Sequence, residues 1–144
     1  MKNFYTLAIF LIAFSINAQE NIKYQKPSKE ILDLVEYERP PSVQYDDDKN
    51  YMVFLYRDNY KSISDLSEKE LRLGGLRINP KTNIGSRVTF YNNVKIKKLK
   101  NKNGTVEQVS GLPNNPKLTN FAWSPDETKI ALTNTTEKGV ELWV

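Results

Sequence analysis

The sequence contains no cysteine and no histidine. Without cysteine it has neither a disulfide nor a thiol nucleophile, and without either residue it lacks the usual sulfur and nitrogen ligands of zinc. A Ser-His-Asp triad cannot be assembled from these residues. The pair Gly74 and Gly75 has neither the spacing nor the following lysine of a phosphate-binding loop. We therefore expect no catalytic residue, no metal and no cofactor in this chain.

Long apolar runs are also scarce, and the one that stands out lies at the N-terminus. Residues 4–14 are apolar except for Thr6, and they follow the basic Lys2. A run of this length is too short to cross a bilayer but suits a signal peptide. We expect residues 1–18 to be removed after Ala18, which predicts an exported protein, periplasmic or extracellular, without membrane attachment. An uncleaved anchor is the alternative.

The charge balance is mildly basic, with a formal net charge of +4. Five lysines between residues 95 and 102 form the only concentrated basic run. Alternate members would share one face of a strand, so we interpret the run as a solvated outer edge that discourages aggregation. Nucleic-acid binding would need basic residues interleaved with exposed aromatics, and none is predicted here.

Residues 19–41 form a polar N-terminal arm with one helical signal. Ser28 is a good N-cap for residues 29–35, in which Ile31, Leu32 and Val35 form an apolar stripe. Two prolines then force an extended chain.

Strand patterns begin at residue 42, and they occur twice. Tyr45 corresponds to Trp123, the turn 46–48 to 124–126, and residues 52–54 to 130–132, all at a constant offset of 78 residues. Both copies read as strand, tight turn and strand, because apolar and β-branched runs flank typical turn residues. A repeat of this kind is typical of propellers and solenoids.

The offset is too long for one plain propeller blade, which takes about 40–45 residues. We therefore predict a first blade at residues 42–111 with an insertion at about 57–91, and a truncated second blade at 112–144. Residues 93–99 are the predicted third strand, and Asn103 and Gly104 turn the chain into a fourth at 105–109. The predicted fold is all-β: a partial β-propeller of one blade with an insertion plus most of a second, with a short N-terminal helix.

Two local patterns carry further predictions. Residues 67–70 (SEKE) match a capping box and predict a short helix through residues 71–73, ended by Gly74 and Gly75. Residues 46–50 (DDDKN) resemble the start of a calcium loop but lack its glycine and its bidentate glutamate, so a solvated turn is predicted.

Four arginines crowd the insertion: Arg57, Arg72, Arg77 and Arg87. They are interpreted as solvated groups or as partners of nearby acids such as Glu68 and Glu70. The functional alternative is a cluster that receives a substrate carboxylate, since guanidinium groups grip carboxylates bidentately.

Four stretches of the mature chain resemble one peptidase group. They are residues 27–35 (PSKEILDLV), 70–83 (ELRLGGLRINPKTN), 123–126 (WSPD) and 139–144 (GVELWV). Together they are similar to the N-terminal region of prolyl oligopeptidase-family serine peptidases, in the glutamyl endopeptidase-like branch. The WSPD element is shared with TolB-type and other propellers, whereas the run at 71–80 is much more specific and lies in the insertion.

The resemblance implies a propeller that restricts peptide access to a C-terminal hydrolase domain, whose serine, aspartate and histidine have no counterpart here. The chain is thus expected to be a fragment whose peptide substrates bind through the missing domain. If the branch's preference for acidic residues applies, Arg72 and Arg77 are candidates to meet the substrate carboxylate. The alternative is a non-catalytic periplasmic TolB-like propeller that binds protein or peptide.

An incomplete propeller leaves blade faces and edge strands uncovered. We therefore predict that the isolated mature segment is aggregation-prone or unfolds with poor cooperativity. A sharp, reversible thermal transition in a soluble monomer would contradict this prediction.

Overall fold

The computed structural model describes residues 25–100 and 104–144. The predicted signal peptide and Asn103 of the predicted turn lie outside these residues. The chain divides into two units, Met1–Val35 and Glu36–Val144.

The first unit contains helix α1 (Lys29–Val35). It begins where the sequence predicts, because the carbonyl of Ser28 accepts from the amides of Ile31 and Leu32 at 3.1 and 3.0 Å. Lys29 and Asp33, one turn apart, form an ion pair of 2.5 Å on the exposed side of the helix.

The second unit is predominantly β, as predicted. Its described residues, 36–100 and 104–144, contain one short helix, α2 (Ile63–Ser67). The strands are β1 (Ser42–Tyr45), β2 (Tyr51–Tyr56), β3 (Leu71–Leu73), β4 (Leu76–Ile78), β5 (Asn93–Lys98), β6 (Glu107–Gln108), β7 (Leu118–Trp123), β8 (Ile130–Thr136) and β9 (Gly139–Trp143). They form three antiparallel sheets with the orders β1-β2-β5-β6, β3-β4 and β7-β8-β9. We call the first the N-sheet and the last the C-sheet.

The predicted lysine-rich outer edge is wrong. Strand β5 lies between β2 and β6, so Lys95 and Lys97 belong to an inner strand of the N-sheet. Both lysines are half-buried, and Lys95 Nζ lies 4.9 Å from the ring centroid of Tyr56.

The predicted helix over residues 71–73 is also wrong, because these residues form strand β3. The helix lies earlier, at α2, where Ser62 is the N-cap and its Oγ accepts from the amide of Asp65 at 3.1 Å. Residues 71–78 alternate apolar and polar on either side of Gly74 and Gly75, which is the period of a hairpin and not of a helix.

The two copies of the sequence repeat have the same strand register beside their turns, whereas further along β7 a register shift between Thr119 and Ala122 has no counterpart in β1. Tyr45 pairs with Met52 across β1 and β2, and Trp123 pairs with Ile130 across β7 and β8, each at the 78-residue offset.

Their turns also use the same hydrogen bond. Asp46 Oδ1 accepts from the amide of Tyr51 at 2.7 Å, and Ser124 Oγ accepts from the amide of Lys129, its counterpart, at 3.0 Å. Repeated sequence therefore gives repeated backbone geometry.

The repeated turns also share an unusual backbone angle and touch each other. Lys49 and Glu127 occupy equivalent positions and both have positive φ, at 52° and 54°. From this position the Glu127 carboxylate accepts a hydrogen bond of 2.6 Å from the amide of Asp47. The side chain of the second turn thus binds the backbone of the first.

The core lies between the N-sheet and the C-sheet. Val53, Leu55 and Val94 on one face of the N-sheet are buried together with Leu118 and Leu132 of the C-sheet. Phe121 and Trp123 pack against this cluster. Their two rings contact each other edge to face, with centroids 5.7 Å apart. The sheets therefore pack face to face, with one face of each in the core.

Truncation of this core predicts a large loss of stability. Leu132→Ala should lower the free energy of unfolding by about 2–5 kcal/mol, because it removes buried methyl groups and leaves a cavity. Urea unfolding followed by tryptophan fluorescence measures the change, since Trp123 lies beside the cavity. The matched control is Leu76→Ala at a position 64% exposed, and it should change stability by no more than about 0.5 kcal/mol.

Candidate functional site

The hairpin β3–β4 brings the two predicted site residues together. Arg72 and Arg77 are direct cross-strand partners, joined through a two-residue turn at Gly74 and Gly75. Both glycines have positive φ, at 53° and 97°, which is the requirement of a type I′ hairpin turn. Like charges placed opposite each other destabilise a hairpin, so this pair needs a counter-charge.

Glu70 supplies that counter-charge from the residue before β3. Its Oε1 accepts from Arg77 Nη1 at 2.6 Å and from Arg72 Nε at 3.2 Å. Its Oε2 accepts from Ser86 Oγ at 2.5 Å. One carboxylate therefore binds both strands of the hairpin and the loop that follows it. We call these four residues the Glu70 cluster.

The cluster strongly favours the charged form of Glu70. The hydrogen bonds from Ser86 and Arg77, against a smaller opposing effect of desolvation, lower the pKa of Glu70 from 4.5 to about 2. The loop is fixed further by the amide of Ser86, which donates to the carbonyl of Arg77 at 2.9 Å. The carboxylate is thus a permanent anion at neutral pH.

The two arginines differ in what they can offer a ligand. The side chain of Arg77 is 33% exposed, and its shortest bond is to Glu70. That of Arg72 is 76% exposed, and its described contact uses Nε. A guanidinium exposed to this extent can present its remaining donors to a second carboxylate. Arg72 is therefore the more accessible of the two predicted residues.

The other two insertion arginines lie outside this cluster. Arg57 is half-buried, and its Nη1 lies 3.5 Å from Thr89 Oγ1. Arg87 is exposed on the loop before β5. The structure therefore pairs Arg72 with Arg77 and does not gather all four into one cationic cluster.

A groove of about 930 Å³ runs between the insertion and the start of β7. Its walls include Tyr60, Leu66 and Phe90, together with the side chains of Asp65 and Lys117. Neither Arg72 nor Arg77 lines it. A concave, partly apolar surface with a few polar groups is the usual form of a binding site.

An ion pair forms the junction between the insertion and the C-sheet in this groove. Lys117 Nζ lies 2.6 Å from Asp65 Oδ1 and 5.6 Å from the ring centroid of Phe90. The hydrogen bonds from Lys117 and Ser62 lower the pKa of Asp65. The pair fixes α2 against the residue that precedes β7.

Sequence reasoning missed this groove. Asp65 lies in a segment without a strong periodic pattern, and Lys117 lies 52 positions away. Neither residue belongs to a recognisable motif. Only the chain path, which brings the insertion back beside β7, places them together.

The acidic turn at residues 46–50 works as a backbone cap. Asp46 is buried, and this burial disfavours its charge, but the amides of Tyr51 and Asn50 outweigh the effect and lower its pKa. Both of its carboxylate oxygens bind these amides. Across residues 25–100 and 104–144, no group of three or more acidic, histidine or cysteine side chains is arranged to hold a metal ion.

The described residues contain no helix with the length and apolar character needed to cross a membrane.

Comparison with known proteins gives two curated plant relatives. The chain is 31% identical over 130 residues to the probable glutamyl endopeptidase, chloroplastic, of Oryza sativa subsp. japonica, and the match covers 84% of this chain. It is 30% identical over 111 residues to the protein of the same name from Arabidopsis thaliana, covering 75% of this chain. Similarity over most of the chain indicates a relationship to peptidases.

The similarity covers only a small part of each relative. The chain spans 14% of the length of the rice protein and 12% of the Arabidopsis protein. No family model matches the chain, and no solved structure matches it. The similarity therefore concerns one short segment of each relative.

The Glu70 cluster predicts a specific acid sensitivity. A carboxylate whose pKa is depressed on folding stabilises the fold above its unfolded pKa of 4.5, and this stabilisation is lost as pH falls towards about 2. Glu70→Gln removes the titrating group, so part of the loss of stability between about pH 5 and about pH 2 should disappear in this variant.

Urea midpoints measured across this pH range test the prediction. Glu137→Gln, which removes an exposed carboxylate on the β8–β9 turn, is the matched control and should retain the wild-type pH profile. Identical profiles for Glu70→Gln and wild type would show that Glu70 does not contribute.

Proposed function

We propose that this chain is the N-terminal propeller part of an exported serine peptidase of the prolyl oligopeptidase family, in the glutamyl endopeptidase-like branch. The observation that carries the proposal is the 31% identity to a glutamyl endopeptidase across 84% of the chain.

The geometry of the two large sheets supports the propeller. The first two strands of the N-sheet and of the C-sheet pair at a 78-residue offset beside their turns, and the two sheets pack face to face. A propeller is built by radial repetition of such sheets. The insertion emerges between β2 and β5 of the first repeat, where a loop insertion adds a surface without disturbing the sheet.

In this proposal, the propeller restricts entry to a hydrolase domain that lies outside these residues. That domain would supply the nucleophilic serine and its histidine and aspartate, because the present chain has no histidine. The peptides would be cleaved by acyl transfer. The signal peptide at residues 1–18 would direct the protein out of the cytoplasm, and N-terminal sequencing of the exported product should begin at Gln19.

The coding sequence after Val144 provides a direct test. The proposal requires further β-rich repeats, then a Gly-x-Ser-x-Gly elbow followed by aspartate and histidine. Further repeats followed by a stop codon would favour a non-catalytic TolB-like binding propeller. This result would overturn the proposal that the protein is a peptidase.

The exposed Arg72 supports a role in recognising acidic substrates. In the peptidase that includes this chain, Arg72→Gln should raise KM for glutamate-containing peptides about 10- to 150-fold, which corresponds to one lost charge-assisted hydrogen bond of about 1.5–3 kcal/mol. The value of kcat should change little, because the arginine would bind the substrate and not the reacting atoms. Steady-state kinetics on paired glutamate and glutamine peptides measure both constants.

Lys138→Gln is the matched control, because it removes an exposed positive charge on the β8–β9 turn, outside the insertion. Its KM should equal that of the wild type. An unchanged KM for Arg72→Gln would show that Arg72 does not bind the substrate carboxylate. An equal rise in KM for the glutamate and glutamine peptides would show the same.

A further inference from the structure

Donors from separate parts of the insertion converge on one carboxylate in the Glu70 cluster. Arg77 Nη1 on β4 donates to Glu70 Oε1 at 2.6 Å, and Arg72 Nε on β3 donates to the same oxygen at 3.2 Å. Ser86 Oγ, on the loop after the hairpin, donates to Oε2 at 2.5 Å. Two guanidinium groups and a hydroxyl around one anion are the donor set of a carboxylate-binding site. The chain fills this site with its own Glu70.

The contacts with Glu70 leave donors of both guanidinium groups for another carboxylate. Each arginine is joined to Glu70 through one nitrogen, Nη1 for Arg77 and Nε for Arg72. A guanidinium binds a carboxylate most strongly through two parallel N–H bonds. Glu70 therefore binds each arginine in a weaker way than a freely approaching carboxylate can.

The site is open to solvent. The side chain of Arg72 is 76% exposed and that of Arg77 33%, while that of Glu70 is 23% exposed. A Cβ added at Gly74 or Gly75 would meet nothing within 4 Å beyond its chain neighbours, so the tip of the hairpin is unpacked. Rotation of the Glu70 side chain would release both arginines without breaking the backbone pairing of β3 with β4.

We propose that Arg72, Arg77 and Ser86 form a carboxylate-binding site whose resident ligand is Glu70, and that an external carboxylate binds by displacing Glu70. The displaced side chain turns towards solvent, where water replaces its hydrogen bonds. The apparent affinity for an external ligand is lowered by the fraction of time that Glu70 occupies the site. Glu70 is thus an internal competitor, and an uncharged amide cannot displace it because it lacks the charge that strengthens these bonds.

The natural ligand of this site rests on the proposed function. In the proposed peptidase it is the side-chain carboxylate of a glutamate-containing peptide. That side chain is identical to the side chain of Glu70, so it can form the same contacts with Arg72, Arg77 and Ser86. A glutamine-containing peptide has no charge at this position and therefore leaves Glu70 in place.

Removal of Glu70 from the 144-residue chain tests the site without reference to any activity. Glu70→Ala leaves Arg72 and Arg77 opposite each other without their anion, so its urea midpoint should lie below that of the wild type. Acetate has the size and charge of the group that is removed. It should raise the midpoint of Glu70→Ala in proportion to the logarithm of its concentration, relative to chloride at the same ionic strength. A variant that does not fold in chloride should fold in acetate.

Controls separate binding at this site from a general effect of acetate. Acetamide, which is neutral, should leave the midpoint of Glu70→Ala unchanged. The wild type and Glu137→Ala, which removes an exposed carboxylate on the β8–β9 turn, should respond to acetate equally, because Glu70 fills the site in both. The double variant Glu70→Ala with Arg77→Gln should lose the response, since it lacks one of the two cations. The absence of an acetate-specific rise in Glu70→Ala, or an equal rise in the double variant, would overturn the proposal.

Kinetics of the peptidase that includes this chain test the competition with substrate. Glu70→Ala should lower KM for glutamate-containing peptides at least about threefold, because no internal carboxylate has to be displaced. KM for the paired glutamine peptides should not fall. Acetate should raise KM of Glu70→Ala for glutamate peptides and leave that of the wild type unchanged. If Glu70 only supports the hairpin, its removal should instead raise KM.

The outcomes separate this inference from the proposed function. An acetate response of the chain, with KM unchanged by both Glu70→Ala and Arg72→Gln, would support the carboxylate site and overturn its use by a peptide substrate. A raised KM for Arg72→Gln without a fall for Glu70→Ala would support the proposed function and overturn the competition by Glu70.

Discussion

The packing of the N-sheet against the C-sheet is the interaction on which the rest of the second unit depends. It joins Val53 and Leu55 to Leu118 and Leu132, residues far apart in the sequence. It also fixes where the insertion returns, because Tyr91 and Leu118 exchange backbone hydrogen bonds of 2.8 and 2.9 Å at the junction. The groove beside α2 exists only because this junction holds the insertion next to β7.

The sequence predicts the strands well, because their signal is local. Alternating or continuous apolar runs beside turn residues identify β1, β2, β5, β7, β8 and β9, and the constant offset relates the two large sheets. The capping-box residues at 67–70 mislead, since a cap only helps a segment that has a helical apolar stripe. Residues 71–78 have the period of a strand, and their glycine pair makes the turn.

The candidate site is predictable only in part. Sequence proximity brings Arg72 and Arg77 into one hairpin, and Glu70 is close enough in the sequence to be named as a partner. Ser86 and Lys117 have no such signal, because long-range contacts bring them to Glu70 and Asp65. The position of Lys95 on an inner strand likewise depends on β6 pairing beyond it, which the lysine pattern itself does not reveal.

The hydrogen bond from the amide of Asp47 to Glu127 makes the two repeats non-equivalent. At the 78-residue offset the counterpart of Asp47 is Pro125, which has no amide hydrogen to donate, and the counterpart of Glu127 is Lys49, which has no acceptor. The bond can therefore form only with these repeats in this order. This single hydrogen bond therefore distinguishes the first sheet from the second, although the two sheets are similar. It favours the arrangement in which the turn of the first repeat donates to the turn of the second.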